Sequence, residues 1–98
     1  MEEKMVFVVS ILDFNGDGDD IGAFFTDADA WKFANDSYRY LTASERKNTY
    51  VCISGWAIPV KKNQSAIEAW NEAWDEMAEG VKDYGDPAYY YEIREKQE

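Results

Sequence analysis

Residues 65–81, SAIEAWNEAWDEMAEGV, decide how the rest of the chain is read. Ile67, Trp70, Trp74, Met77 and Val81 recur at intervals of three and four, which predicts one apolar stripe along an α-helix. Successive residues of a helix lie about 100° apart, so Glu68, Glu72, Asp75, Glu76 and Glu79 fall on nearly the opposite side. The helix is expected to turn its stripe to a core and its carboxylates to water. Ser65 followed by Glu68 is a capping-box start, and Gly80 marks where the pattern fades. Such a helix needs an apolar surface to lie on.

The preceding chain supplies that surface as strands. Residues 5–14 are rich in Val, Phe and Ile, and their near-continuous apolarity predicts a central strand. Asn15-Gly16-Asp17-Gly18-Asp19-Asp20 is turn chemistry, because Gly, Asn and Asp tolerate positive φ. Residues 21–25 then return as the second strand of a hairpin. Thr26 caps a helix opening with Asp27 and Asp29, and Trp31, Ala34, Tyr38 and Leu41 keep helical spacing. Residues 42–48 read as a polar connection. Residues 49–60 form the third strand, where Gly55 is expected to mark a bulge and Pro59 to end hydrogen bonding on one side. After the second helix, Tyr84-Gly85-Asp86-Pro87 is another turn. Tyr89, Tyr91 and Ile93 alternate, so residues 88–94 read either as a fourth strand or as an ordered tail.

The expected fold is therefore α+β: a three- or four-stranded antiparallel sheet in the order β-β-α-β-α, with an optional last strand and two helices on one face. A right-handed crossover lets the third strand lie beside the first, giving the sheet order 2-1-3. With no repeat, low-complexity tract or linker, residues 1–98 are expected to form a single domain.

Met5-Val6-Phe7-Val8-Val9, a polar hairpin, Ile21-Gly22-Ala23-Phe24-Phe25-Thr26 and a helix together resemble small β-β-α-β proteins common in phage and bacterial genomes. Those carry a V-Y-V-V … I-G-V-F-S-T … A run. The likeness covers residues 5–35 and implies a local frame of strands and helix. It brings no activity with it.

The residue inventory narrows the chemistry. There is no histidine, which removes serine–histidine and cysteine–histidine arrangements and histidine metal sites. The single cysteine, Cys52, sits between Val51 and Ile53 and is expected to be a buried, inert thiol in a reducing compartment. No Gly-rich phosphate loop occurs, and no reaction is expected of the chain. Asp13, Asn15, Asp17 and Gly18 match the opening of an EF-hand calcium loop. Its twelfth position, which should carry a bidentate Glu, is Phe24, and Asp20 stands where that loop wants an apolar residue. The expectation is an Asp/Gly turn with no metal and no cofactor.

Charge carries the rest. Twenty acids against ten Lys and Arg leave a formal charge of −10, which argues against direct contact with a nucleic-acid backbone. The start, Met1-Glu2-Glu3-Lys4, has neither the basic segment nor the cleavage site of a signal peptide, and the apolar run after it is too short to span a bilayer. The expected location is the cytoplasm of a bacterial or phage-infected cell. No basic residue lies between Lys4 and Lys32 or between Lys62 and Lys82, whereas Arg39, Arg46, Lys47, Lys61 and Lys62 gather in the middle. The candidate partner-binding residues are therefore Asp17, Asp19 and Asp20 of the hairpin and Glu68, Glu72, Asp75, Glu76 and Glu79 of the second helix, together with Tyr90. Neighbouring strand residues point to opposite faces, so at least one of Tyr89, Tyr90 and Tyr91 is expected at the surface.

These features fit two kinds of protein-binding role. One is an inhibitor that imitates nucleic-acid charge and occupies a basic DNA- or RNA-binding protein, as a phage antidefence (anti-CRISPR) protein would. The other is an acidic adaptor or immunity-type protein that holds its partner through exposed Tyr and Trp.

Overall fold

The computed structural model describes residues 2–95 and is built around β1 (Glu2–Asp13) and β3 (Thr49–Val60), two apolar strands that pair along their whole length. The other elements are β2 (Gly18–Phe24), α1 (Asp27–Arg39), α2 (Ala43–Asn48), α3 (Ala66–Ala78) and β4 (Tyr89–Ile93). The sheet has four strands in the order β2-β1-β3-β4, and every neighbouring pair is antiparallel. The architecture is α+β, with β1 central as its apolarity predicts. The alternating residues 89–93 are a true fourth strand.

The two long helices lie on opposite faces of this sheet, not on one face as the element order suggested. Val6 and Val8 of β1, with Ile58 and Val60 of β3, pack under α3 against Ala66, Ala69, Trp70 and Ala73. The alternate residues Val9, Val51 and Ile53 pack on the other side against Ala30 and Ala34 of α1. The reason lies in the strands themselves. Both parities of β1 and β3 are apolar, side chains alternate across a strand, and each face therefore needs its own cover. Each helix meets the sheet through alanines, whose small side chains let the backbones approach closely.

The buried stripe of α3 differs from the expected one. Ala66, Ala69, Trp70 and Ala73 are buried, whereas Ile67, Trp74 and Val81 are exposed. The contact stripe is rotated by roughly a fifth of a turn from the one traced by the largest side chains. Its ends are as read. Ser65 and Glu68 form a full capping box, and Gly80 takes φ +72 just past the helix.

Residues 42–48 are not a plain connection. Thr42 and Glu45 form a second capping box, which starts the short helix α2. Its Arg46 reaches back to the Arg39 carbonyl at 2.9 Å and lies over the Tyr38 ring, joining α2 to the end of α1.

Gly55 does not mark a bulge. It sits in regular register between Phe7 and Tyr89. A Cβ there would come within 2.9 Å of Tyr89 Cβ, so the missing side chain lets the Phe7 and Tyr89 rings meet edge to face at 5.9 Å. The irregularity falls instead between Val9 and Ser10, opposite the extra residue Ile21 of β2, which turns into the α1 side. Gly16 supplies the positive φ of the hairpin (+84), but Gly18 serves by size: a Cβ on it would collide with the Ile11 carbonyl.

Candidate functional site

A length mismatch creates the site. A helix of 13 residues spans about 20 Å at ~1.5 Å per residue. Strands of 12 residues run for about 40 Å at ~3.3 Å per residue. Helix α3 therefore covers only the half of its face that holds Val6, Val8, Ile58 and Val60. The other half stays open as a cleft of about 530 Å³. Ser10, Cys52 and Ser54 form its floor, Trp56, Trp70 and Trp74 one wall, the hairpin residues 16–20 another, and Tyr90 and Pro87 the β4 side.

The indoles form a row. The Trp56 and Trp70 centroids are 5.3 Å apart and those of Trp70 and Trp74 6.0 Å apart, with planes inclined at 42° and 40°. Trp70 is buried at 3% exposure, and Trp74 at the lip is 56% exposed. Two of the three indole N–H groups are engaged within the protein: Trp56 donates to Ser54 Oγ at 2.9 Å and Trp70 to Asp20 Oδ2 at 2.7 Å. The other Asp20 oxygen accepts the Ser10 hydroxyl at 2.6 Å. Across the cleft, Tyr90 is 51% exposed and donates its hydroxyl to Glu92 Oε2 at 2.8 Å. Burial of the phenol and that hydrogen bond push the Tyr90 hydroxyl well above its ordinary ionisation range. Burial likewise pushes the Cys52 thiol up, so the cysteine stays protonated on the cleft floor.

The acids named from the sequence divide into distinct environments. Asp17, Asp19 and Asp20 all border the cleft. None of the five carboxylates of residues 68–79 lines it, and Glu72 and Glu76 border a separate hollow with Pro59 and Tyr84. Glu68 belongs to the capping box, Glu76 accepts the Tyr84 hydroxyl at 2.7 Å, and Glu72 is paired with Lys61 at 3.3 Å. Gln64 and then Lys61 hold the Glu72 carboxyl below its usual range. Asp75 and Glu79 have no side-chain partner among the described residues. Of the hairpin acids, Asp20 pairs with Ser10 and shares the α3 side of the sheet, whereas Asp19 pairs with Ile11, whose side chain packs on the α1 side.

The hairpin loop is shaped by its own hydrogen bonds. Asp13 Oδ1 accepts the backbone N–H groups of Asn15 and Asp17 at 2.8 and 3.1 Å, which is how an Asx turn closes. Among the described residues, no group of three or more carboxylate or thiol side chains converges as metal ligands would. Nor is any described helix long and apolar enough to cross a membrane.

A larger hollow, about 670 Å³, lies at the far end of the sheet among Lys4, Lys61, Lys62 and Phe25. Its cations are partly neutralised at home, since Lys4 approaches Glu2 at 3.7 Å and Lys61 pairs with Glu72. Lys61 and Lys62 thus lie at the end of the sheet away from the acidic hairpin, whereas Arg46 and Lys47 of α2 come just before Thr49, the partner of Asp13, and stand at the hairpin's own end.

The link from Asp20 to Ser10 and Trp70 was not read from the sequence, although one signal was there. A serine inside Val8-Val9-Ser10-Ile11 needs a polar partner if the strand is central. Which residue would supply it, 10 positions away in β2, depends on the bulge. Compared with protein-family models, curated proteins and solved structures, the chain matches none.

Proposed function

We propose that this protein acts by binding another protein through the α3 side of its sheet. The cleft aromatics anchor the partner, and the surrounding carboxylates draw in a basic surface. The observation that carries this reading is Trp74, a large indole 56% exposed at the lip of a cleft and continuous with two more indoles. Water-exposed tryptophan backed by packed aromatics is the composition of interface hot spots. The formal charge of −10 then selects for basic partners and speeds their encounter.

A second reading keeps the same face but gives charge the larger share. The five carboxylates of residues 68–79, with Asp17 and Asp20 of the hairpin, support imitation of a nucleic-acid backbone. The target would then be a DNA- or RNA-binding protein, and the role that of an inhibitor such as a phage antidefence (anti-CRISPR) protein. Neither reading involves a reaction or a cofactor.

The experiment is capture of partners from a candidate host lysate, eluted in salt steps and repeated with two variant sets. Trp74→Ala with Tyr90→Ala removes the anchors. Gln at 68, 72, 76 and 79 removes charge while leaving the capping box intact, since Gln serves at its third position. Loss of capture with the first set, at any salt, supports aromatic anchoring. Loss with the second, together with elution as salt rises and competition by DNA or RNA, supports the mimic. A partner held equally by both variant sets overturns the proposal.

A further inference from the structure

We infer that the cleft receives an arginine side chain of the partner, an assignment that rests on the protein-binding reading and gives it a chemistry. Hydrogen-bond capacity in the wall is lopsided. Ser10, Trp56, Trp70 and Tyr90 all donate inwards, to Asp20, Ser54, Asp20 and Glu92 respectively. The wall is left offering indole and phenol faces and the remaining lone pairs of the aspartates, with the Trp74 N–H at the lip and the Ser54 hydroxyl and Cys52 thiol on the floor as its remaining side-chain donors. No Lys or Arg lines it among the described residues. A ligand that fits must bring donors, positive charge and a surface able to lie on aromatic rings. Guanidinium has five N–H donors, no acceptor and a flat face.

The protein already binds one of its own arginines this way, beside the cleft and on the same sheet face. The Arg94 guanidinium lies 4.7 Å from the Tyr50 centroid and 5.5 Å from that of Phe14. It reaches the Glu92 carboxylate at 2.6 Å. Glu92 is the same carboxylate that accepts the Tyr90 hydroxyl. The adjoining cleft repeats these parts, aromatic faces with a carboxylate held in place, and has no cation of its own. Asp20 is well suited to the carboxylate role. Two hydrogen bonds orient it, and each of its oxygens keeps a lone pair for an incoming N–H. Lysine fits less well, because a compact, strongly hydrated ammonium gains little from a row of flat indoles.

The test uses capped glycine-rich peptides carrying two arginines, two lysines or two citrullines, titrated into the full chain. The readout is the set of indole N–H resonances, assigned by single Trp→Phe variants. Arginine peptide should shift the Trp70 and Trp74 signals saturably, with citrulline, the neutral isostere, binding at least about tenfold more weakly and lysine several-fold more weakly. Trp74→Ala, at a mostly exposed position, should keep the fold by circular dichroism and weaken arginine binding by about fivefold or more. No saturable shift, equal response to citrulline, or equal affinity for lysine overturns the arginine assignment. Its failure is separable from that of the wider reading: if lysate capture still depends on Trp74 and Tyr90, the docking face stands and only its occupant is wrong.

Discussion

Trp70 of α3 donates its indole N–H to the Asp20 carboxylate of β2 at 2.7 Å, across 50 positions of chain. The same carboxylate takes the Ser10 hydroxyl of β1, so one acidic side chain joins the hairpin, the central strand and the helix. Asp20 is exposed as a residue, yet its oxygens serve buried groups.

Replacing Asp20 with Ala leaves a buried indole N–H and a buried hydroxyl without their acceptor. A loss of about 1–3 kcal/mol is expected, because orphaned buried donors cost that much. Asp20→Asn, which keeps one carbonyl acceptor, should lose less. Urea unfolding followed by tryptophan fluorescence measures both. Equal stability of Asp20→Ala and the parent would mean that water replaces the carboxylate fully.

The rotated stripe of α3 predicts opposite outcomes for adjacent residues. Ala73, 3% exposed, meets the sheet directly, so Ala73→Leu should destabilise by about 1–3 kcal/mol through overpacking. Trp74→Ala removes a far larger side chain but should cost less than about 1 kcal/mol, since most of that indole faces water. Thermal melts of the two variants decide which stripe is the core.

Glycine matters at positions where a side chain has no room. Gly18→Ala would drive a Cβ into the Ile11 carbonyl and force the hairpin to shift, for an expected loss of about 1–3 kcal/mol. Gly55→Ala should cost a similar amount by parting Tyr89 from Phe7 and disturbing the seam that holds β4. Hydrogen exchange of the β4 amides would report the second loss locally.

Alkaline pH should loosen the segment after α3. Burial first, and then the hydrogen bond to Glu76, push the Tyr84 hydroxyl from its ordinary value of 10.0 up to about 12. Between those values the unfolded chain has released a proton that the folded protein keeps, so folding stability falls as pH rises. The contribution is complete below pH 10.0 and gone once Tyr84 ionises near 12. Ultraviolet titration should find it among the last phenols to ionise, and Glu76→Gln should bring it down. A Tyr84 that titrates with the exposed tyrosines would refute the contact.

Local sequence determined the strands, the capped ends of α1 and α3, and the acidic hairpin, because caps, turn residues and apolar periodicity act over a few neighbours. It also contained the sign that both sheet faces needed cover, in the unbroken apolar run of β1, although the order of elements alone left both helices on one side. Tertiary structure decided which stripe of α3 was buried. Alanine at 66, 69 and 73 competes with Ile67 and Trp74, and close approach to a flat sheet favours the small side chains over the larger apolar ones. The cleft was likewise beyond local reading. It exists because a short helix lies on long strands, and its carboxylate is in place because Ile21 bulges and sets Asp20 opposite Ser10. Those relations join residues far apart in sequence, and only the packed chain brings them together.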